Sequence, residues 1–281
     1  MLFGWSNGSA ISVGPSRAMV WYYTQGQGSF GAAGTRTGDG DAMCGVAAMY
    51  DAVAGKIHVA SGSPDHENSE ATSNSFIVTI GAPGTTASTE RTTNMAFRRI
   101  FATSTILPDG QIFVVGGQSF GVPFSDNNAI RIVVADDEDL HTYGESSTAS
   151  NIPLHLGPHG RWTQIFTPPY LLRSDGRTAA TRPTISAVSA RTVKVGNTFT
   201  ATVRSSGANG SWTFAIMRLG SSTHTVNSDQ RRIPLVPISV SNGVYTFRLP
   251  ADPGICTSGY WWLFAMESGV PSVATELLIS P

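Results

Sequence analysis

One histidine in a polar loop, His224, has the surroundings in this chain that most favour metal chemistry. It stands between two threonines in the segment Ser221–Leu235 (SSTHTVNSDQRRIPL), and two arginines, Arg231 and Arg232, follow it. A neutral imidazole on a loop is the commonest protein ligand for a borderline metal, and it suits copper well. A lone loop histidine is also often an ordinary surface residue, so residue type and position leave both interpretations open.

The composition excludes several classes of function. Charged residues make up 13% of the 281, Gly numbers 30, Pro numbers 16 and the formal net charge is −1. This balance is typical of a turn-rich, mostly β protein. A near-neutral chain without a Lys/Arg run has no electrostatic reason to bind nucleic acid. No apolar run reaches roughly eighteen residues, so we expect no membrane-spanning helix.

The chain ends and the cysteines carry little information about compartment. Met1-Leu-Phe-Gly-Trp5 lacks the basic start of a signal peptide, so none is recognised. We expect Cys44 and Cys256 to be two buried free thiols rather than a disulfide. Asn7 and Asn209 begin N-x-S triplets, which would be glycan acceptors in a secreted protein.

Three segments of the first half share a pattern of strand, glycine-containing turn and strand: Leu2–Gly14, Met49–Ser63 and Ser104–Gln118. Asn-Gly and Asp-Gly supply the positive φ angles of a two-residue hairpin loop. A repeat of roughly 50 residues is typical of kelch-type propeller blades. The sequence therefore predicts an all-β fold whose residues 1–170 form an incomplete kelch-type β-propeller of about three blades. An irregular, polar segment interrupts it at 126–161.

The last hundred residues predict a second domain at 183–281, after a polar linker at 171–182. Short alternating runs separated by turns such as Ser241-Asn-Gly243 are typical of an immunoglobulin-like β-sandwich. We expect Trp261, Trp262 and Phe264 to supply its core.

Two runs in this second half carry a family resemblance: Thr223–Leu235 (THTVNSDQRRIPL) and Gly259–Ala274 (GYWWLFAMESGVPSVA). They closely resemble the C-terminal, early-set domain of the galactose oxidase and glyoxal oxidase family of copper radical oxidases. The resemblance implies oxidation of a primary alcohol, aldehyde or sugar by O₂ to give H₂O₂. It implies that His224 occupies a copper-ligand position on a loop that rises through the propeller. It also implies an extracellular monomer.

The chain departs from the family pattern at most of the copper site. The cross-linked cysteine and tyrosine belong to family sequence N-terminal to Met1, and the family's Tyr-His pair does not occur here. Cys44 matches a non-catalytic family cysteine. His141, Tyr143, His155 and His159 are weak substitutes, because Gly157 and Pro158 forbid a helical pair. We therefore expect the C-terminal part of an oxidase, a fragment that is inactive as written.

Some substrate-facing positions survive by resemblance. Pro123 and Phe124 match a segment that walls the family's substrate site, while His66 and Glu67 replace a Tyr-Gln pair there. The alternative is that His66 and Glu67 are exposed hairpin-tip residues. We expect Asp229, Arg231 and Arg232 to pin the His224 loop through salt bridges and hydrogen bonds.

Two alternatives to the oxidase remain open from the sequence. The chain could be a non-catalytic carbohydrate-binding or scaffold protein built from propeller blades and a sandwich. It could also be a degraded gene product that folds poorly. Flanking sequence containing the remaining blades would favour the oxidase.

Overall fold

The computed structural model describes residues 1–121, 154–156, 161–163, 167–208, 210–223 and 226–281. Within these ranges the regular structure is all β apart from two short 3₁₀ turns, at Ser6–Gly8 and Pro169–Leu171. None of the described residues forms a helix long and apolar enough to cross a membrane. The all-β prediction is confirmed.

The first half contains twelve described strands, each of three to seven residues. They are β1 (Leu2–Trp5), β2 (Ser9–Ser12), β3 (Ala18–Tyr23), β4 (Ser29–Thr35), β5 (Val46–Asp51), β6 (Lys56–Ala60), β7 (Ser75–Thr79), β8 (Ser88–Arg91), β9 (Ile100–Ile106), β10 (Ile112–Gln118), β11 (Leu154–Leu156) and β12 (Arg161–Thr163).

These strands form antiparallel sheets in sequence order. The first four make one meander, the next four make a second, β9 pairs with β10, and β11 pairs with β12. Four-stranded meanders of this kind are the building blocks of a propeller. The three predicted strand–turn–strand units coincide with β1–β2, β5–β6 and β9–β10, so the partial propeller agrees with the described sheets. The kelch assignment and the domain boundaries stay predictions.

The turns of these units differ in length from the expected two residues. The loop between β1 and β2 is Ser6–Gly8, with Asn7 at φ 56 and Gly8 at φ 65, so the predicted positive φ angles are confirmed. The turn after β5 is longer because the Asp51 carboxylate accepts hydrogen bonds from the backbone of Val53 (3.1 Å) and Ala54 (2.9 Å). Aspartate side chains favour such wider, self-capped turns.

Strands of the second half form two facing sheets and a small hairpin. They are β13 (Thr184–Val188), β14 (Thr192–Lys194), β15 (Thr198–Arg204), β16 (Trp212–Arg218), β17 (Ser221–Thr223), β18 (Val226–Ser228), β19 (Arg232–Leu235), β20 (Ser239–Ser241), β21 (Val244–Arg248), β22 (Gly259–Glu267), β23 (Val270–Pro271) and β24 (Thr275–Ser280).

One sheet has the order β13-β15-β21-β20, and the other has the order β14-β24-β22-β16-β19, with β23 added to β22. Two sheets packed over a shared core are the predicted sandwich. The sequence did not predict β14, a short strand that pairs in parallel with β24. The predicted linker contains a tight hairpin, in which the amide of Arg173 donates to the carbonyl of Thr178 at 2.7 Å.

The aromatic run in β22 only partly forms the core. Successive strand residues point to opposite faces, so Trp261 is fully buried while Trp262 is 43% exposed. The side chain of Phe264 lies on the same side as Trp262 and is half-buried. The expectation that all three residues are core is therefore right for Trp261 only, because strand alternation turns Trp262 and Phe264 to the other face of the sheet.

One apolar core runs through both halves. It joins Trp5 and Met49 of the first two sheets to Phe247 and Trp261 of the sandwich. Trp5 passes so close to the second half that a Cβ on Gly254 would lie 1.9 Å from its carbonyl oxygen, which only glycine permits. Burial of apolar surface across this junction stabilises the two halves as one unit.

Both cysteines are free, as predicted. Cys256 is buried and Cys44 is half-buried, so the expectation of two buried thiols is right for Cys256 alone. Burial raises the pKa of the Cys256 thiol to about 12 and raises that of Cys44 as well. Neither thiol is therefore activated as a nucleophile at neutral pH.

The buried imidazole of His58 predicts an acid-sensitive fold. Its Nε2 lies 2.8 Å from the Ser75 hydroxyl, and its Nδ1 has no hydrogen-bond partner among the described residues. Burial lowers the pKa of His58 from 6.5 to about 4. Between pH 6.5 and pH 4 the histidine is protonated in the unfolded chain but neutral in the folded chain. The free energy of unfolding therefore falls as the pH drops. The loss reaches about 3 kcal/mol at pH 4.

Urea unfolding between pH 7.5 and pH 4 measures this effect. In His58→Gln, which cannot titrate, the pH-dependent loss of stability should shrink, whereas the exposed-site control His66→Gln should keep the full slope. An unchanged slope in His58→Gln contradicts the prediction.

Candidate metal centre

The residue predicted to bind copper, His224, follows directly after β17 of a small hairpin. Strands β17 and β18 pair antiparallel, and Thr223 opposite Val226 is the last pair. His224 and Thr225 lie between these two and outside the described residues. The structure therefore describes the base of the hairpin, and the position of the imidazole stays a prediction.

The base of the hairpin is tied to β9 of the first half. The side chain of Gln230 is 6% exposed; its oxygen accepts from the Ile106 amide at 3.0 Å, and its nitrogen donates to Asn227 O at 2.9 Å. Asn227 in turn donates through its side-chain amide to the carbonyl of Ser104 at 3.2 Å. The two carboxamides hold the hairpin against one edge of the propeller-like sheets.

Arg231 and Arg232 are both buried and are held by carbonyl oxygens. Arg231 donates to Gly4 O at 2.6 Å and Ile255 O at 2.8 Å, and burial lowers its pKa to about 10. Arg232 donates through Nε to Pro108 O at 2.9 Å. Both guanidinium groups stay charged at neutral pH, and each bridges the hairpin side of the sandwich to the first half.

Asp229 forms a further, solvent-exposed contact at the base of the hairpin. It adopts φ 58, and its carboxylate lies 2.5 Å from the guanidinium of Arg218, which also donates to Ser258 O at 2.6 Å. Asp229, Arg231 and Arg232 form the expected salt bridge and hydrogen bonds at the base of the hairpin, and their effect on the His224 loop stays a prediction. The salt bridge belongs to Asp229 with Arg218, while the two buried arginines use hydrogen bonds.

Sequence reasoning missed Gln230, Asn227 and Arg218. The polar run Asn227–Gln230 between two strands was a signal that this segment must find partners, because buried polar groups are hydrogen-bonded. The partners of Gln230 and Asn227 in β9 lie more than a hundred positions away in the sequence, which no local pattern reveals.

The predicted substrate residues fall into two groups. His66 and Glu67 are exposed on the loop after β6, where the amide of His66 donates to the Asp65 carboxylate at 2.7 Å. Pro123 and Phe124 lie outside the described residues. Gly121, two positions before Pro123, lies beside this loop, since the amide of Asn68 donates to the carbonyl of Gly121 at 2.6 Å.

Among the described residues, no three His, Cys, Asp or Glu side chains cluster closely enough to hold a metal ion. Of the residues considered as substitute ligands, His141, Tyr143 and His159 lie outside that part of the chain, whereas His155 lies in β11, opposite Trp162 of β12. The donor atoms that the described residues supply therefore do not by themselves fit a copper ion, which prefers about four N and O ligands at one point.

Comparison with known proteins shows what this chain is similar to. A model described as the galactose oxidase-like early set domain matches residues 182–279. Two galactose oxidases of Gibberella zeae, one from strain PH-1, are each 42% identical over 308 aligned positions that cover 99% of this chain. Residues 182–279 are a galactose oxidase-like early set domain, and the chain as a whole is similar to galactose oxidase. The chain spans 44% of the length of those relatives.

A solved structure supports the same relationship. It is described as a novel fungal alcohol oxidase with catalytic diversity among the AA5 family, in complex with copper. It matches this chain with a TM-score of 0.83 and 33% identity, covering 100% of this chain and 63% of the other. The similarity runs through the sheets of the first half as well as the sandwich.

Removing the Gln230 side chain should weaken the contact between the hairpin base and β9. Gln230→Ala leaves the buried amide of Ile106 without its acceptor, which we expect to lower the free energy of unfolding by about 1–3 kcal/mol. Urea unfolding measures the loss. The control is Gln111→Ala, because Gln111 is exposed. Equal stability losses in the two variants would mean that the Gln230 hydrogen bonds do not stabilise the junction.

Proposed function

We propose that this chain is the C-terminal part of a galactose oxidase-like copper radical oxidase. The reaction removes two electrons and two protons from a primary alcohol, or oxidises an aldehyde, and transfers the electrons to O₂ to form H₂O₂. The observation that supports this best is the 42% identity to galactose oxidase, which extends over 99% of the chain. Copper, when bound, supplies one-electron redox chemistry beside a protein radical.

His224 is the copper ligand that these residues contribute to the proposed site. Its hairpin is suited to that role because Gln230 and Asn227 fix the hairpin base against β9. A ligand held on a rigid support loses little entropy when it binds a metal. One imidazole is too few ligands for tight copper binding, so we propose that the 281 residues alone do not turn over.

His66 and Glu67 are proposed to line the substrate entrance. Both are exposed, and their loop lies beside Gly121, which precedes Pro123 and Phe124 in the sequence. The Glu67 carboxylate is a hydrogen-bond acceptor for hydroxyl groups, and a neutral imidazole at His66 both donates and accepts. Because His66 and Glu67 replace Tyr-Gln, galactose need not be the substrate of this protein. We further propose that the protein is an extracellular monomer.

Copper titration of the purified 281-residue chain, followed by EPR, tests the ligand assignment. We expect weak Cu(II) binding that disappears in His224→Ala and persists in the control His66→Ala. Tight, stoichiometric, tetragonal copper would contradict this account, since other residues such as His141 or Tyr143 would then complete the site.

Peroxide release tests the reaction. The gene product isolated from its natural source should form one H₂O₂ per molecule of ethylene glycol, glyoxal or galactose oxidised, whereas the 281 residues alone should form none. Absence of peroxide from the natural product with every substrate would favour the non-catalytic carbohydrate-binding or scaffold alternative.

A further inference from the structure

Asn7 lies at the tip of the loop that joins β1 to β2, and its side chain takes no part in holding that loop. The residue is exposed, and within the part of the chain that the structure describes its carboxamide makes no hydrogen bond. Backbone donors fix the loop instead. The backbone amide of Asn7 donates to the Asp252 carboxylate at 3.3 Å, and that of Thr24 donates to the carbonyl of Gly8 at 3.3 Å. The carboxamide is therefore free for modification.

A second exposed turn of the chain has a similar backbone and provides a comparison. Asn7 has φ 56, in the left-handed region that asparagine and glycine tolerate best. Asn242 has φ 48, is likewise exposed and is likewise followed by a glycine. The two turns differ at the second position after the asparagine, which is Ser9 in the first and Val244 in the other. The hydroxyl group of Ser9 therefore distinguishes them chemically.

Ser9 makes the first turn an acceptor sequence for N-linked glycosylation, which requires a serine or threonine two positions after the asparagine. In the folded chain Ser9 is only 5% exposed, and its hydroxyl donates to Ser6 O at 2.8 Å. Glycan transfer takes place while the chain is still unfolded, so this burial does not prevent it. The folded protein has to leave room for the finished glycan alone, and the exposed Asn7 does so. Asn209, the asparagine of the other acceptor triplet, lies outside the described residues.

We propose that Asn7 carries an N-linked glycan in the secreted protein. The side-chain nitrogen of Asn7 forms a bond to C1 of the first N-acetylglucosamine of a polyprenyl diphosphate-linked oligosaccharide. The bond from C1 to the diphosphate oxygen breaks, the lipid diphosphate leaves with the electron pair, and the nitrogen loses one proton. No group is oxidised or reduced. The modification depends on the proposed extracellular location, because the oligosaccharide donor is confined to the secretory pathway.

Asn7 stands where the first half of the chain meets the sandwich. The Asp252 carboxylate that accepts its backbone amide belongs to the loop before β22, and it also accepts the amide of Gly254 at 2.8 Å. The carbonyl of Trp5, two positions before Asn7, approaches the same loop at Gly254. A glycan on Asn7 is bulky and hydrated, so it covers the solvent-facing edge of this junction. It leaves the backbone hydrogen bonds of the loop unchanged.

Secretion of the 281-residue chain from yeast, behind an added leader peptide, tests the site. Peptide mapping by mass spectrometry, with and without peptide N-glycosidase, measures the Asn7 peptide separately from all others. We expect a glycan on most copies of this peptide and none on the peptide that contains Asn242. Asn7→Gly should abolish the modification, because glycine keeps the φ angle but lacks the carboxamide. Ser9→Ala should abolish it with Asn7 still present, whereas the matched control Asn242→Gly should leave it unchanged.

An unmodified Asn7 peptide in the yeast product, or a glycan that persists on this peptide in Ser9→Ala, would overturn the proposal. The gene product from its natural source should carry the glycan on the same peptide. Its absence there, with the yeast product modified, would overturn the proposal and contradict the extracellular location as well. Since peptide mapping involves neither copper nor turnover, an unmodified yeast product leaves the oxidase proposal intact. Failure of the peroxide assay likewise leaves the glycan assignment standing.

Discussion

Burial of two adjacent guanidinium groups, Arg231 and Arg232, is the constraint on which the rest of this structure depends. Arg231 is only 4% exposed, and its partners are carbonyl oxygens from both halves, including those of Gly4 and Ile255. Leaving a buried charge without its partners costs several kcal/mol. The carbonyl groups of Gly4 and Ile255 are therefore held in place. The first strand, β1, and the loop before β22 are held with them. The junction tolerates one arrangement of the two halves.

The functional proposals follow from that rigid junction. The segment that carries the buried arginines also carries Gln230, whose carboxamide reaches the Ile106 amide of β9. Anything placed on the hairpin just before it, His224 included, is held relative to the first half instead of to the sandwich alone.

Local sequence patterns predicted most of the strands, but not the side-chain contacts that hold the hairpin base against β9. Turn residues such as Asn7-Gly8 and period-two alternation marked most strands, because both are set by the backbone of a few neighbours. Hydrophobicity alone misplaced Trp262, which the pleat directs outward. The contact of Gln230 with β9 joins residues far apart in sequence, so only the fold reveals it. His224 was singled out by resemblance, and its own geometry stays a prediction.

Native-state hydrogen exchange tests the central claim most directly. The amides of Ile106 and Ala52 belong to the first half and are bonded to Gln230 and Arg232 of the second. If the buried junction makes one cooperative unit, both amides exchange with the same opening free energy and denaturant dependence as Ile216 in the sandwich core. Exchange of Ile106 and Ala52 at a lower free energy, while Ile216 stays protected, would show that the halves separate and would contradict this account.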